Sequence, residues 1–557
     1  MRQSGLAEAA AVAAAAIVLT AALTFPLVLG LDRLGRLNTA DGRYAMWNVA
    51  WVADTLIVRP SQLFDANIFY PNRHTLAYSE ANIGAGVVAI PAWGFSGNPY
   101  LAYNSVLFFA FVMGAGGAYA LVRALTGSRE AAAVSGVLFA FCPFVFARTA
   151  HVQLLMTFGL PWSLLAFHRL VDRPGPRRAV ALGVWLWVQA LSCAYYGIFG
   201  GLVVGLGTLW FARTRGLWRA PRYWAAIALA AAVSIGLTLP FFLPYLGVQD
   251  AGFSRALDEA RDYSTNGAAW LQSAAWAHRP WQPLAANASE TAFPGILTTV
   301  LGLAGLWRVL RPASPASDRA PAASRAGAGL PRDVGLFYGL VALLAFWTAF
   351  GPAAGLYSLL YHAIPVFSFL RAPARIGIVV TLALVVLAGG WLAAWLRTRP
   401  RAWTVMLVLV AAAELTSAPL RQFREAEPVP EAYRALGRLP RGAVAEFPYF
   451  YERRDFPRHA EYMLGSTYHF MPLINGYSDY IPQEWRKTVV PLSSFPTRES
   501  FGILGRLNAR YAVFHLRKYD RRNRERLLER LARYEAYLRP LVQQDDVWLY
   551  EIVGWPN

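Results

Sequence analysis

The sequence predicts an α-helical polytopic membrane protein with a small α/β domain at its C-terminal end, and three observations predict it. Of 557 residues, 56% are hydrophobic and only 15% charged, with a mean hydropathy of +0.34, more apolar than a water-facing surface allows. Eleven apolar runs approach the roughly 20 residues that cross about 30 Å of hydrocarbon at about 1.5 Å per residue. Finally, 17 of the 33 acidic residues follow residue 419, where the long apolar runs stop.

The first run, 9–31, follows Arg2 and ends without a small-residue cleavage site, so it reads as a retained helix. The others lie at 100–123, 130–147, 152–170, 179–195, 197–212, 222–246, 291–310, 334–352, 375–397 and 402–419. A cytoplasmic N-terminus puts Arg123 and Arg129, Arg173, Arg177 and Arg178, Arg213, Arg215, Arg219 and Arg222, Arg308, Arg311, Arg319, Arg325 and Arg332, and Arg397, Arg399 and Arg401 all on the cytoplasmic side. That satisfies the positive-inside rule at every short loop. The net charge of +19, almost all arginine because Lys487 and Lys518 are the only lysines, therefore reports orientation in the bilayer and not a nucleic-acid partner. Outer loops are expected at 32–99, 247–290 and 353–374. The cytoplasmic 311–333 loop is low-complexity and reads as disordered. Within 82–98, shortness and Pro91 favour a re-entrant or interfacial helix; were it to span, every later segment would invert.

Directly after the first run comes NTADGRYAMWNVAWVADTL. Met46, Trp47, Ala50, Trp51 and Leu56, with Tyr44, form one face of a helix expected to lie in the outer interface, tryptophans at headgroup level. Asp41 stands at its start. It is either a plain helix cap or, beside a dry interface, a carboxylate raised in pKa and able to act as a general base.

Residues 1–419 thus form the polytopic domain and 420–557 an extracytoplasmic α/β domain. In the latter, GAVAEFPYF, ARYAVFHL and DDVWLYEI read as strands, and RRNRERLLERLARYEAYL as a helix with Leu527, Leu528, Leu531 and Tyr534 at helical spacing. Cys142 and Cys193, both inside apolar runs, supply neither a disulfide framework nor a metal site. Phosphate-loop, zinc-protease and nucleophile-elbow motifs are absent, so nucleotide-driven chemistry has no visible seat.

An early acidic residue in the first outer loop, WNVAW at 47–51 and LFDANIFYPNRHTLAYSE at 63–80 precede the polytopic bundle. With AYYGIF at 194–199, ETAFPG at 290–295, FLRAPAR at 369–375 and PLINGYS at 472–478, the chain resembles the GT-C superfamily of membrane glycosyltransferases. More narrowly it is similar to bacterial membrane proteins of the YfhO-like and mannosyltransferase-like type. The resemblance covers most of the chain and rests on topology and short motifs.

It implies a sugar donor carried on a polyprenyl phosphate, transferred with inversion to a lipid or cell-envelope glycan outside the cytoplasm, by a multi-pass protein of the bacterial inner membrane. The family's first-loop acid matches Asp41, which would take the acceptor proton as that oxygen attacks the anomeric carbon. Glu80 is a second carboxylate, orienting the acceptor or meeting His74, with Tyr78 beside it. Arg371 and Arg375, where a span begins from the outer side, suit a leaving phosphate as well as they suit snorkelling to headgroups. Arg255 and Arg261, interleaved with Asp258, Glu259 and Asp262, form either a rim of that site or a solvated charge run. His151 and Gln153 either bond sugar hydroxyls or pack; His74 is otherwise an ordinary loop residue. The paired DxD or ExD acids of some branches are missing, so no metal or other cofactor is assigned. The Asn287-Ala288-Ser289 triplet is a chance match to a glycosylation acceptor. Two other readings stand beside the enzyme: a lipid or glycan transporter or flippase, which would need a midplane site with buried ionisable groups, and a catalytically inactive envelope assembly factor.

Overall fold

The computed structural model describes residues 2–250, 256–311, 329–544 and 546–556. Arg255, Arg319, Arg325 and most of the low-complexity loop lie outside the described residues. Contacts divide the chain into two compact units. One comprises 1–29, 106–243 and 254–421; the other comprises 30–105, 244–253 and 422–557.

The first unit is helical, and a helix falls on each of the eleven apolar runs: Arg2–Leu23, Pro99–Thr126, Arg129–Ala140, Gly159–Asp172, Pro176–Ser192, Ala194–Thr214, Pro221–Asp250, Ile296–Leu310, Arg332–Ala349, Gly377–Leu396 and Ala402–Leu415. By length and composition, 7 helices among the described residues can cross a membrane. Ile296–Leu310 and Ala402–Leu415 are apolar but shorter. Proline sets some of the interruptions: Pro143, which leaves its amide unavailable, opens a separate short turn after Cys142. The Gly377–Leu396 helix is buried along nearly its whole length, which apolarity all round its circumference demands. Small residues let neighbours approach it. A Cβ on Gly302 would stand 2.9 Å from the Leu384 carbonyl oxygen, and one on Gly389 would meet Ser135 Oγ at 2.9 Å.

Charged side chains tie helix ends together. Glu8 accepts from Tyr119 Oη at 2.6 Å and pairs with Arg129 at 2.6 Å and Arg123 at 3.2 Å. Arg215 bridges Asp172 at 2.7 Å and Asp333 at 2.8 Å. A buried network does the same elsewhere: His278, fully buried, meets Ser273 Oγ through Nδ1 at 2.7 Å and Glu414 Oε1 through Nε2 at 3.1 Å. Glu414 also accepts the first amides of the Ile296–Leu310 helix, from Ile296 and Leu297. The carboxylate therefore serves as an N-cap supplied from a distant helix.

In the second unit, β1 (Leu34–Gly35) pairs antiparallel with β2 (Arg424–Glu425). A four-stranded sheet has the order β3-β4-β6-β5. β3 (Ala443–Phe447) runs parallel to β4 (Ala509–His515), and β6 (Val547–Ile552) is antiparallel to both β4 and β5 (Leu538–Gln544). Ala432, Tyr433, Leu436, Val444, Leu473, Tyr511, Val513 and Leu549 form its core. Three strands stand where the sequence places them. β5 does not: the helix expected to continue to Leu538 stops at Arg533, and Leu538 pairs with Ile552 as the first residue of a strand instead. Of the expected apolar face, Leu527 and Leu531 are buried while Leu528 is exposed.

The Ala40–Val58 helix also departs from expectation. It does not present an amphipathic face to headgroups; its residues from Ala45 to Ala53 are all buried. Trp47 donates through Nε1 to Asn67 Oδ1 at 3.0 Å and Trp51 to the Leu63 carbonyl at 3.0 Å. The indole N–H groups are spent inside the protein, on the loop that follows. Gly86 in the Ile83–Ser96 helix allows the close approach, since a Cβ there would collide with Val52. At 14 residues, or about 21 Å, that second helix is too short to cross the hydrocarbon core.

Candidate functional site

Asp41 sits in the first turn of the Ala40–Val58 helix, but it is not the cap. Thr39 is: its extended backbone turns the chain into the helix and its Oγ1 accepts the Gly42 amide at 3.2 Å. Asp41 is half-buried, one position inside, where the free amides and helix dipole favour a carboxylate. The preceding segment presses on this turn so closely that a Cβ on Gly42 would overlap the Arg36 carbonyl. Arg36 is itself buried over the Phe423 ring, 5.9 Å from its centroid, and burial lowers its pKa.

The LFDANIFYPNRHTLAYSE segment then folds back and docks on the PLINGYS segment. Phe69 and Tyr70 donate backbone N–H bonds to the carbonyls of Asn475 and Leu473 at 3.0 and 2.8 Å, and Leu473 returns one to Asn67. Asn67 Nδ2 donates to Ser466 Oγ and to the Met471 carbonyl at 3.0 and 3.1 Å. Contacts with 477–480 and Tyr245 then fix the backbone on either side of Glu80. Ser79 Oγ donates to Asp479 Oδ2 at 2.9 Å, Tyr480 N donates to the Tyr78 carbonyl at 3.0 Å, and Ala81 N donates to Tyr245 Oη at 2.9 Å. Asn48 Nδ2 reaches the Glu80 carbonyl at 3.4 Å. Tyr78 is buried against Tyr480 with ring centroids 5.0 Å apart, and burial pushes its hydroxyl up to about 12. Tyr44 is likewise raised to about 12 by burial. Its hydroxyl lies beside Ser478, Asn48 and Ser79 without completing a hydrogen bond to any of them, and Asn48 Oδ1, Asn82 Oδ1 and Ser478 Oγ are unpaired and buried as well. Glu80 and Tyr78 thus belong to one polar cluster. His74 stands apart from it, exposed in left-handed backbone at φ 54°, with its amide on Asp65.

In the other unit the arginines gather around two tyrosines. Arg371 Nη1 pairs with Glu259 Oε1 at 3.2 Å, its guanidinium lies 4.9 Å from the Tyr263 ring centroid, and its amide donates to Tyr195 Oη at 2.9 Å. The Arg375 guanidinium stacks over Tyr195 at 4.2 Å. FLRAPAR and AYYGIF therefore converge, at the head of the apolar Pro373–Leu396 segment. Arg261 pairs with Asp258 at 3.3 Å, both well exposed. Arg148 joins ETAFPG to the His151 segment: it pairs with Glu290 at 2.6 Å, donates to the Thr291 carbonyl and stacks on Phe144. His151 and Gln153 are half-buried at the short Val152–Leu155 turn.

The residues that sequence reading passed over are Asn48, Tyr245, Ser478 and Asp479 in one unit and Tyr195 and Tyr263 in the other, while Tyr44 and Glu259 were named there without these contacts. Asn48, Tyr195 and Ser478 lie within the quoted motifs, which was the available signal. No group of three or more His, Cys, Asp or Glu among the described residues is placed to hold a metal ion.

No family model and no curated protein sequence matches the chain. Among solved structures, arabinofuranosyltransferase AftD from Mycobacteria superposes over 99% of this chain with a TM-score of 0.59 and 16% identity. The chain shares the fold of this arabinofuranosyltransferase. It spans 42% of the length of AftD. The Archaeoglobus fulgidus oligosaccharyltransferase AglB, solved with an inhibitory peptide and a dolichol-phosphate, gives a TM-score of 0.46 at 14% identity over 97% of this chain and 74% of that one. ArnT from Cupriavidus metallidurans bound to undecaprenyl phosphate gives 0.42 at 16% identity over 91% and 98%. The helical unit and the sheet-bearing unit each carry one of the two residue groups described above.

Proposed function

We propose that the protein transfers a sugar from a polyprenyl-phosphate donor to an extracytoplasmic lipid or cell-envelope glycan, as a multi-pass protein of a bacterial cell membrane with a cytoplasmic N-terminus. The observation that carries this reading is the AftD likeness over 99% of the chain. Because a fold alone does not define an activity, the reading also draws on the local chemistry of each unit.

In the proposed reaction the acceptor hydroxyl oxygen attacks the anomeric carbon from the face opposite the phosphate. The carbon–oxygen bond to phosphate breaks, polyprenyl phosphate departs with the bonding pair, and the acceptor proton passes to Asp41. The anomeric configuration inverts. Asp41 suits the role by its place in the first turn of the Ala40–Val58 helix, where the helix end favours a carboxylate. Arg371 and Arg375 suit the leaving group: a planar guanidinium offers two parallel N–H bonds to a phosphate. Each guanidinium plane is held against an aromatic face, Arg371 on Tyr263 and Arg375 on Tyr195. Arginines at one set of helix ends support the orientation, Arg123, Arg129 and Arg215 among them.

Transfer from a defined polyprenyl-phosphate sugar tests the assignment. Asp41→Asn should lower kcat by about 10²–10⁴-fold with donor binding retained. Arg375→Ala should weaken donor binding and slow turnover together, and Arg375→Lys should recover part of both. Full transfer by Asp41→Asn would dismiss that carboxylate as the base and pass the role to Glu80; no transfer by the wild-type protein from any such donor would favour the transporter or assembly-factor readings.

A further inference from the structure

At the carboxyl ends of the parallel strands β3 and β4 lies a buried hydrogen-bonded cluster that the proposed chemistry leaves unused. Glu446, fully buried, accepts from Tyr433 Oη at 2.7 Å and lies 2.6 Å from His515 Nε2 through the same oxygen, Oε2. Its Oε1 has no hydrogen-bond partner. Tyr462 stacks beneath the His515 ring, centroids 4.8 Å apart, so imidazole and phenol are both held rigidly. In α/β sheets the strand ends where loops diverge are where ligands bind.

A cavity of about 250 Å³ opens there, with His515 and Tyr433 in its wall. Tyr100 and Tyr468 add two more aromatic faces. Arg43 and Arg424 offer donors; Glu427 and Glu461 offer acceptors. For Glu461 burial opposes ionisation, but Lys518 Nζ at 2.5 Å outweighs it and leaves the carboxyl below its ordinary pKa. Burial raises Tyr433 and Tyr468, so both stay neutral hydroxyls able to donate and accept.

The mixture selects a ligand class. Interspersed arginines and glutamates give no single-sign field for a phosphate or a polyanion, and burying those charges against a hydrocarbon chain would be costly, although Val429, Leu464 and Val547 also line the wall. Aromatic faces for ring C–H surfaces, combined with carboxylates and guanidinium groups for hydroxyls, match a neutral carbohydrate. Cavities for drug-sized ligands run to about 300–1,000 Å³, so this one suits one or two sugar rings of a longer chain. Arg43 opens the cavity onto the first turn of the Ala40–Val58 helix, the turn that also holds Asp41 on another face. The geometry points to a binding site for the neutral glycan of the acceptor, formed by the sheet-bearing unit, and this rests on the sugar-transfer reading.

The test uses the full chain carrying Asp41→Asn, reconstituted in nanodiscs so that no turnover confuses binding. An array of neutral mannose, glucose, galactose and arabinose oligosaccharides is screened beside their phosphorylated counterparts and inorganic phosphate, and the best neutral trisaccharide is titrated calorimetrically. We expect saturable binding of at least one neutral glycan, weakened about 10-fold or more by Tyr468→Ala and by Glu427→Gln, both on the cavity wall, with unchanged thermal midpoints. If no neutral glycan binds, if only phosphorylated probes or phosphate bind, or if both variants bind like the parent, the site is refuted. Because binding and not transfer is read, that outcome leaves the sugar-transfer reading standing; loss of that reading through the donor assay leaves the glycan titration unaffected.

Discussion

His459 makes the sheet-bearing unit sensitive to acid. Its ring is fully buried among Tyr449, Phe450, Tyr462 and Trp485. Nε2 donates to the Phe450 carbonyl at 3.2 Å, which leaves Nδ1 as the acceptor for Asn475 Nδ2 at 3.3 Å. A second proton would set two donors against each other and disturb Asn475, which also binds both the amide and the carbonyl of Glu446. Burial accordingly pushes His459 down to about 4, against about 6.5 for a free histidine. Between those values the unfolded chain takes up a proton that the folded chain refuses. The stability from the neutral ring is therefore complete above about pH 6.5 and is lost as the pH falls toward about 4. At pH 5 the unfolded reference has been passed by about 1.5 pH units, or about 2 kcal/mol. Thermal unfolding of the purified protein, followed by tryptophan fluorescence at pH 7 and pH 5, measures this. His459→Gln removes the titration, so its midpoint should fall several degrees less than that of the wild type over the same interval, whatever its absolute value. An equal or greater fall in the variant would refute the reasoning.

Glu414→Ala should cost about 3–5 kcal/mol, since it strands two helix-end amides and the His278 imidazole in a buried setting; a thermal midpoint within a degree of the parent would count against the cap. Gly86→Ala should destabilise by about 1–3 kcal/mol by forcing Val52 away, readable as faster hydrogen exchange in the Ala40–Val58 helix, and unchanged exchange would deny the close approach. For topology, a cysteine replacing Arg311 should react with an impermeant maleimide only after permeabilisation, whereas Asn523→Cys should react in intact cells. Cys142 and Cys193 are buried and give little background; the reverse pattern would place Asp41 in the cytoplasm and end the proposed chemistry.

Helix positions were legible because apolar length is a local property, as in Gly377–Leu396, and so were β3, β4 and β6, with β-branched and aromatic residues bounded by Gly or Pro. What stayed hidden was decided by distant partners. Asn67 finds Ser466 399 positions away, and nothing near Trp47 announces that its N–H will be met by that loop and not by headgroups. The same holds for Glu414, whose amides lie 117 and 118 positions back, and for Glu446 and His515, separated by 69 residues and marked by no motif. At the candidate site, residue types were readable while their assignments were not: Thr39 rather than Asp41 caps the helix, and Arg371 draws on Glu259 from the charge run beside it.

The docking of the 63–80 segment on residues 466–480 also sets a timetable for biogenesis. The early segment leaves the ribosome some 400 residues before the strands and loop that accept its amides, Asn67 to Ser466 spanning 399 positions. At about 5–20 residues per second this is a wait of about 20–80 s. Throughout it, the Asn67 side-chain amide and the backbone amides of Phe69 and Tyr70 stand without their final partners. A chain stopped before residue 466 would hold its membrane helices and still lack the surface that shapes its first outer loop, so quality control that probes this loop would read, near the start of the sequence, whether translation had reached the end.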